Sequence, residues 1–430
     1  MPPPPGHHHF SHLACLLLAF LLLPGTAAGL DNGMGRRPPL GWNTWKTCGE
    51  ATCGHDVCNE REVKAVAEAM LGNGMAALGY DFVNLDDCWA SPDRDPNTSA
   101  LTWDAARFPS GIPSLIDWLH ARGLKFGLYT SAGNQTCSSG GRPRPIPGSR
   151  GHYAVDAKTF AAWNVDYVKF DWCGDIKKQV LKGKQAHVDF ARAMNASGRA
   201  MFLEVVAGYF FFWSDIATVA NSWRFCTDHH DEWKSTNVEI TCRIDQTHKS
   251  EGAPGGWPFM DMLLTGGQGC SPLSKGAHCP GQTDDEYRTA FAVWSLSQSP
   301  LIVATDVRKM TAVMNQTLLN KDLVELHQST ATPPGKHLAY WECAEPLMCE
   351  VWGRKIVANG TSWMVALVNH GKKVHNITVE WKELGFADGE AATVVDVWDA
   401  QRRVVDSNAK VSFSARVPSH GSAVVRITKL

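Results

Sequence analysis

From Leu40 to about Asp306 the chain alternates short apolar runs that end in polar residues with stretches of helical period. The runs are LGWNTW (40–45), DFVNLDD (81–87), LKFGLYT (124–130), VDYVKFD (165–171), AMFLEVV (200–206), SWRFCTD (222–228), GGWPFMDML (255–263) and PLIVATD (300–306). Such alternation predicts a parallel sheet covered by helices, and eight units of this kind close naturally into a (β/α)8 TIM barrel. The helical stretches carry their own signals. In NEREVKAVAEAM, Asn59 and Glu62 have the spacing of a capping box, and Val63, Val66, Ala67 and Met70 share one face. In PSLIDWLHARG, Leu115, Trp118 and Leu119 share a face, and Gly123 stands where a C-terminal cap is expected.

After about Gly335 the pattern changes to alternating strands, EVWGRKIVA, SWMVALVNH, HNITVEW, ATVVDVWD and GSAVVRITKL, which predict a small antiparallel β-sandwich domain. No internal repeat is evident, and the Trp-Asp pairs at 103 and 398 have no fixed period, so a propeller is not supported. Residues 13–23 form an apolar run followed by Pro24, Gly25 and the small residues Thr26, Ala27, Ala28 and Gly29. The run is too short to span a bilayer and fits a signal-peptide core, although the region before it carries histidines instead of Lys or Arg. The expected organisation is a signal peptide over 1–29, a catalytic barrel over 30–335 and an antiparallel β domain over 336–430, with no membrane span in the mature chain.

Composition narrows the function by exclusion. The 41 Lys and Arg nearly cancel the 43 Asp and Glu, and no basic stripe interleaves with aromatics, so no nucleic-acid partner is expected. Seventeen Trp are mostly core filling, yet a flat indole also suits the apolar face of a sugar ring. Without Cys15 twelve cysteines remain, an even set that implies disulfides in an oxidising compartment. Cys48, Cys53 and Cys58 are spaced by five and no CxxC occurs, which argues against a zinc site. Sequons at Asn97, Asn134, Asn195, Asn315, Asn359 and Asn376 predict a glycoprotein of the secretory pathway, extracellular or lysosomal/vacuolar. The segment SSGGRPRPIPGSRG (138–151) reads as a solvated loop on the barrel.

In a β/α barrel the reacting groups stand at the C-terminal ends of strands. Those ends hold Trp45, Asp86, Asp87, Tyr129, Lys169, Asp171, Glu204, Arg224, Asp228 and Asp261. So many carboxylates with few cations raise one another's pKa unless a substrate hydroxyl or an arginine intervenes. Glycoside hydrolysis gives a reason for the set: it needs one ionised carboxylate, one protonated carboxylic acid and further groups to hold hydroxyls. The residues alone leave open which two are catalytic and which sugar is bound. TDHHDE (227–232) raises a metal-hydrolase reading, but adjacent histidines diverge around a strand or helix, so neither metal nor cofactor is expected.

GWNTW (41–45), NLDDCW (84–89), RFPSGIPSLIDWLHARGLKFGLYTSAGNQTC (107–137), DYVKFDWC (166–173), WR followed by DEWKS (223–235) and EYRTAFAVWSLSQSPLIVATDVR (286–308) resemble the motifs of glycoside hydrolase family 27. This is the melibiase family of α-galactosidases and α-N-acetylgalactosaminidases. The resemblance implies a retaining α-galactosidase with Asp171 as nucleophile and Asp228 as acid/base. Lys169, on the same strand face, would keep Asp171 ionised and oriented. Asp86 and Asp87 would hold the 4- and 6-hydroxyls of galactose, with Trp45 against its apolar face, Tyr129 nearby and Asp261 in the binding set. Because neighbours alternate faces on a strand, at least one of Asp86 and Asp87 must lie past the strand end. Glu204, beside Arg224, would face the sugar's 2-position and favour a free hydroxyl over an acetamido group.

The chain also departs from the family pattern. LEVVAGYFFFW (203–213) replaces a Cys-Glu-Trp run, PFM (258–260) replaces Asn-Asp-Pro, and Leu203 and Ala220 stand where many animal members have a cysteine pair. Ala207 is the small type expected of the N-acetylgalactosaminidases, so that activity and β-L-arabinopyranosidase activity are the alternatives. The resemblance further implies a Cys137–Cys173 disulfide, with one of Cys48 and Cys53 on Cys88 and the other on Cys58. The substrate expected is an α-galactoside on an oligosaccharide, glycolipid or polysaccharide, and the enzyme a monomer or homodimer.

Overall fold

Short runs of branched and aromatic residues bounded by polar ones favour brief, doubly buried strands, and the barrel strands are three to seven residues long. They are β1 (Leu40–Asn43), β2 (Phe82–Asn84), β3 (Lys125–Ser131), β4 (Tyr167–Asp171), β5 (Phe202–Val206), β6 (Ser222–Arg224), β7 (Trp257–Phe259) and β8 (Leu301–Val303). The computed structural model describes residues 32–45, 47, 57–139, 144–177, 179–206, 216–247, 252–267, 281–344, 347–399 and 401–430. All eight expected strands form, in the parallel order β7-β6-β5-β4-β3-β2-β1-β8. The ring closes between its ends just beyond β7, where Leu263 N donates to Ile302 O (2.8 Å) and Ala304 N to Leu263 O (2.9 Å).

The interior is layered, as alternation along each strand requires. Phe82, Tyr167 and Phe202 cluster at the N-terminal end, with the Tyr167 and Phe202 rings stacked 4.8 Å apart. Above them lie the polar residues Asn84, Lys169 and Glu204, all buried. Gly127 makes room for this layer, since a Cβ there would meet Asn84 Oδ1 at 2.1 Å.

Helices α1 (Glu60–Gly72), α2 (Ile112–His120), α3 (Tyr153–Ala162), α4 (Val180–Asn195), α5 (Trp233–Thr247), α6 (Asp284–Leu296), α7 (Ala312–Leu318) and α8 (Lys321–Gln328) surround the strands. Asn59 caps α1 by accepting from Glu62 N (3.1 Å), while the Glu62 carboxylate pairs with Arg61 and Arg308. The expected α1 face is fully buried. On α2 the inward face is Ile112, Leu115, Ile116 and Leu119; Trp118 packs partly buried against the same core, with the Arg122 guanidinium 3.7 Å from its ring centroid.

The C-terminal strands β9 (Lys336–Ala344), β10 (Leu347–Lys355), β11 (Ser362–Asn369), β12 (His375–Glu380), β13 (Ala392–Asp396), β14 (Val404–Ala409), β15 (Ser412–Val417) and β16 (Ser422–Lys429) form a sandwich: a six-stranded antiparallel sheet ordered β14-β13-β16-β11-β10-β9 and a pair β12-β15. Three of these lie outside the runs expected from sequence, namely β9 (Lys336–Ala344), β14 (Val404–Ala409) and β15 (Ser412–Val417). β14 is an edge strand exposed from Val404 to Asn408, so it carries no inward alternation to betray it. Val351, Val365, Leu367, Val379, Val394 and Ile427 pack between the layers. The sandwich leans on α5 and α6 through stacked Trp233 and His420 rings and through His420 Nδ1, 2.6 Å from Glu286 Oε1. No helix among the described residues is long and apolar enough to cross a membrane.

Disulfides join Cys58 to Cys88, Cys137 to Cys173 and Cys226 to Cys242. The expected Cys137–Cys173 bridge is present. Cys88, however, takes Cys58 in place of Cys48 or Cys53, because the chain entering α1 passes the end of β2 with the two Cα atoms 6.2 Å apart, within disulfide reach. Cys48 and Cys53 lie outside the described residues, as do Ala207 and the expected signal segment 1–29. All six sequon asparagines are exposed, so each is open to a glycan.

Candidate active site

β4 delivers the first carboxylate. Asp171 is its last residue; its Oδ1 accepts from Trp172 N (2.6 Å) and its Oδ2 from the Tyr129 hydroxyl at the mouth of β3 (2.9 Å). Both oxygens are thereby oriented. The Tyr129 hydroxyl is pushed well above the usual tyrosine range by burial and then by Asp171, so it stays a donor. The Cys137–Cys173 disulfide pins the chain immediately after Asp171. Among the described residues, Cys137, Asp171 and Cys173 also form a group with metal-ligand proximity, but both sulfurs are committed to the disulfide.

Lys169, expected to keep Asp171 ionised and oriented, makes its ion pair with Asp86. Its ammonium lies 2.8 Å from Asp86 Oδ2, and Asp171 acts on it only at longer range. Burial alone would lower the ammonium's pKa, yet Asp86, Glu204 and Asp171 together hold it above the usual lysine range. Lys169 also lies 5.6 Å from the Trp45 ring centroid and 5.5 Å from that of Tyr129, so the cation is walled by aromatics.

Asp86 and Asp87 both lie past β2, which ends at Asn84. Asp86 N donates to Thr44 Oγ1 (2.9 Å), and Asp86 Oδ1 accepts from Asp87 N (2.9 Å). Asp87 Oδ2 accepts from Ser138 N (2.7 Å). Burial pushes the Asp87 carboxyl up to about 6, a rise helped by Asp86 and opposed by hydrogen bonds from Ser138 and Thr136.

Glu204 is level with Lys169 on one side and with Ser222 on the other, while Arg224 is level with Val206. The parallel register therefore moves Arg224 one layer above Glu204, and the two do not pair side by side as expected. Glu204 Oε2 accepts from the Tyr167 hydroxyl, and burial raises its carboxyl to about 7 against the pull of Lys169. Arg224 instead holds Asp228 Oδ1 at 2.6 Å and Asp261 Oδ2 at 3.4 Å. Asp261 has a left-handed backbone (φ 64°) and accepts from His229 N (2.8 Å), a strained placement secured by its partners.

Three buried polar atoms of this mouth have no hydrogen-bond partner among the described residues: Glu204 Oε1, Arg224 Nε and Asp261 Oδ1. Unsatisfied donors and acceptors converging on one end of a barrel are the signature of a site that a polar ligand completes. His229 of the TDHHDE segment turns away from it, buried between Met262 O (2.8 Å) and Thr236 Oγ1 (2.9 Å).

Residues 37–329 match the family model described as alpha galactosidase A, and residues 348–427 match the alpha galactosidase C-terminal beta sandwich domain. The chain belongs to the alpha-galactosidase A family. Within this family it is similar to an alpha-galactosidase of Cyamopsis tetragonoloba, at 35% identity over 403 residues covering 93% of this chain and 88% of that relative. Alpha-galactosidase A of Homo sapiens is 31% identical over 418 residues, covering 91% and 90%. The crystal structure of alpha-galactosidase I from Mortierella vinacea superimposes with a TM-score of 0.75 at 25% identity, covering 92% of this chain and 98% of that one.

In this alpha-galactosidase family member several supporting groups escaped the sequence reading. Tyr167 stands two residues before Lys169 on the same strand face, so alternation alone could have placed it under Glu204. Thr44 and Ser138 reach Asp86 and Asp87 from loops whose paths no periodicity encodes.

Proposed function

We propose that the chain is a retaining α-galactosidase that hydrolyses terminal non-reducing α-D-galactosyl residues of oligosaccharides or glycoconjugates. The observation that carries this reading is a doubly held carboxylate, Asp171, at the end of β4 together with a second carboxylate, Asp228, just past the end of β6, whose side chain is 41% exposed and ion-paired with the site's own Arg224. In this reading Asp228 gives a proton to the departing glycosidic oxygen while Asp171 attacks the anomeric carbon. The C–O bond to the leaving group breaks as the Asp171–carbon bond forms. Water then attacks that carbon, gives its proton to Asp228 and releases Asp171, so configuration is retained.

The other groups read as sugar holders. Asp86, fixed by Lys169, and Asp87 take the 4- and 6-hydroxyls, and Trp45 lies against the apolar face. The free Oε1 of Glu204 and Nε of Arg224 are open to a hydroxyl at the 2-position, where an acetamido group would be crowded. Asp261 anchors Arg224. The disulfides and exposed sequons support passage through the secretory pathway, with 1–29 as signal peptide.

Hydrolysis rates for aryl α-galactoside, α-N-acetylgalactosaminide and β-L-arabinopyranoside test the assignment. The α-galactoside is expected to have the largest kcat/KM; dominance of either other substrate would overturn it.

A further inference from the structure

Glu239 has no part in the chemistry above, yet it is buried beside it. It lies in the middle of α5 and is 0% exposed. Its Oε1 accepts from Thr227 Oγ1 (3.2 Å), the residue immediately before Asp228. Its Oε2 is buried without a hydrogen-bond partner among the described residues. Three residues further along the same helix, Cys242 is bonded to Cys226, the residue before Thr227. Two successive residues leading into Asp228 are therefore attached to α5, one covalently and one by a hydrogen bond.

A carboxyl sealed into a helix–barrel interface with one threonine as partner is a costly choice, and an apolar side chain would fill the space more cheaply. Burial, reinforced by Asp261, pushes this carboxyl well above the usual range even with Arg224 nearby. Arg224 already serves Asp228 and Asp261, so a neutral Glu239 avoids a third anion around one guanidinium.

We propose that Glu239 is a positioning residue for Asp228: through Thr227 Oγ1, and alongside the Cys226–Cys242 disulfide, it fixes the segment that aims the acid/base carboxyl at the leaving oxygen. The proposal rests on the reading of Asp228 as acid/base. Its effect falls on proton delivery, so substrates whose leaving group must be protonated feel it and strongly activated ones do not.

The test compares kcat/KM on an alkyl α-galactoside and on dinitrophenyl α-galactoside, whose leaving group departs without a proton. Thr227 is exposed, so Thr227→Val removes the donor without threatening the fold. Thr227→Val and Glu239→Leu are each expected to lose about three- to tenfold on the alkyl substrate and less than about twofold on the activated one. The double variant should lose no more than either single one, and Glu239→Gln, which keeps an acceptor at Oε1, should restore the rate. Asp228→Asn sets the scale, with a loss of about a hundredfold or more confined to the alkyl substrate. If Asp228→Asn shows that difference while Thr227→Val leaves both rates unchanged or lowers them equally, the positioning role is wrong. Equal losses in Asp228→Asn would sink the acid/base reading, and this proposal with it.

Discussion

Lys169 and Asp86, brought together from β4 and the end of β2, form a buried ion pair at 2.8 Å in which neither side chain is more than 6% exposed. The pair links the strand that carries Asp171 to the pocket proposed for the sugar. Asp86 is held on one oxygen by the ammonium and on the other by a backbone amide, so its direction is set before any ligand arrives.

Lys169→Met should therefore be costly twice over. An unpaired Asp86 left in the interior is expected to lower stability by about 3 kcal/mol or more, measured by chemical denaturation. Residual folded enzyme should bind galactose poorly, seen as a raised KM. A stability unchanged to within about 0.5 kcal/mol would show that the pair is not desolvated as described.

Tyr129→Phe removes one of the two donors on Asp171 and little else. A hydrogen bond to a charged group corresponds to a loss of about ten- to a hundredfold in kcat/KM, with the melting temperature nearly unchanged. An unaltered kcat/KM would mean that Trp172 N suffices to orient the nucleophile.

The eight barrel strands were legible because each is a run of apolar residues closed by a polar one, and those closing residues form the candidate site. Partners were less legible. The Lys169–Asp171 neighbourhood was readable from spacing along one strand, but the stronger contact of Lys169 is to Asp86, 83 positions away, which only the register of adjacent strands defines. The same register separates Arg224 from Glu204. Cys58 and Cys88 were paired differently by analogy, since the approach of α1 to β2 is a tertiary fact. β14, exposed at the sandwich edge, had no hydrophobic pattern to reveal it.

Glu204 predicts a pH dependence with a definite sign. Its carboxyl is raised from 4.5 to about 7, so the folded state binds a proton that the unfolded state has released. The contribution to stability is complete below about pH 4.5 and is lost as pH rises through about 7. His187 and His327, pushed down to about 4 and about 3 by burial, act in the opposite sense below pH 6.5, so the diagnostic quantity is the difference between wild type and Glu204→Gln. Wild type should lose about 3 kcal/mol relative to that variant between pH 4.5 and 8. A pH-independent difference would show that Glu204 titrates normally.

The central claim is that Asp171 forms a covalent bond to the sugar. Incubation with a fluorinated galactosyl fluoride that slows the second step, followed by proteolysis and peptide mass analysis, reads this directly. The account predicts one sugar on the peptide carrying Asp171, none in Asp171→Asn, and α-galactose as the first product of normal turnover. A label on another carboxylate, or release of β-galactose, would contradict it.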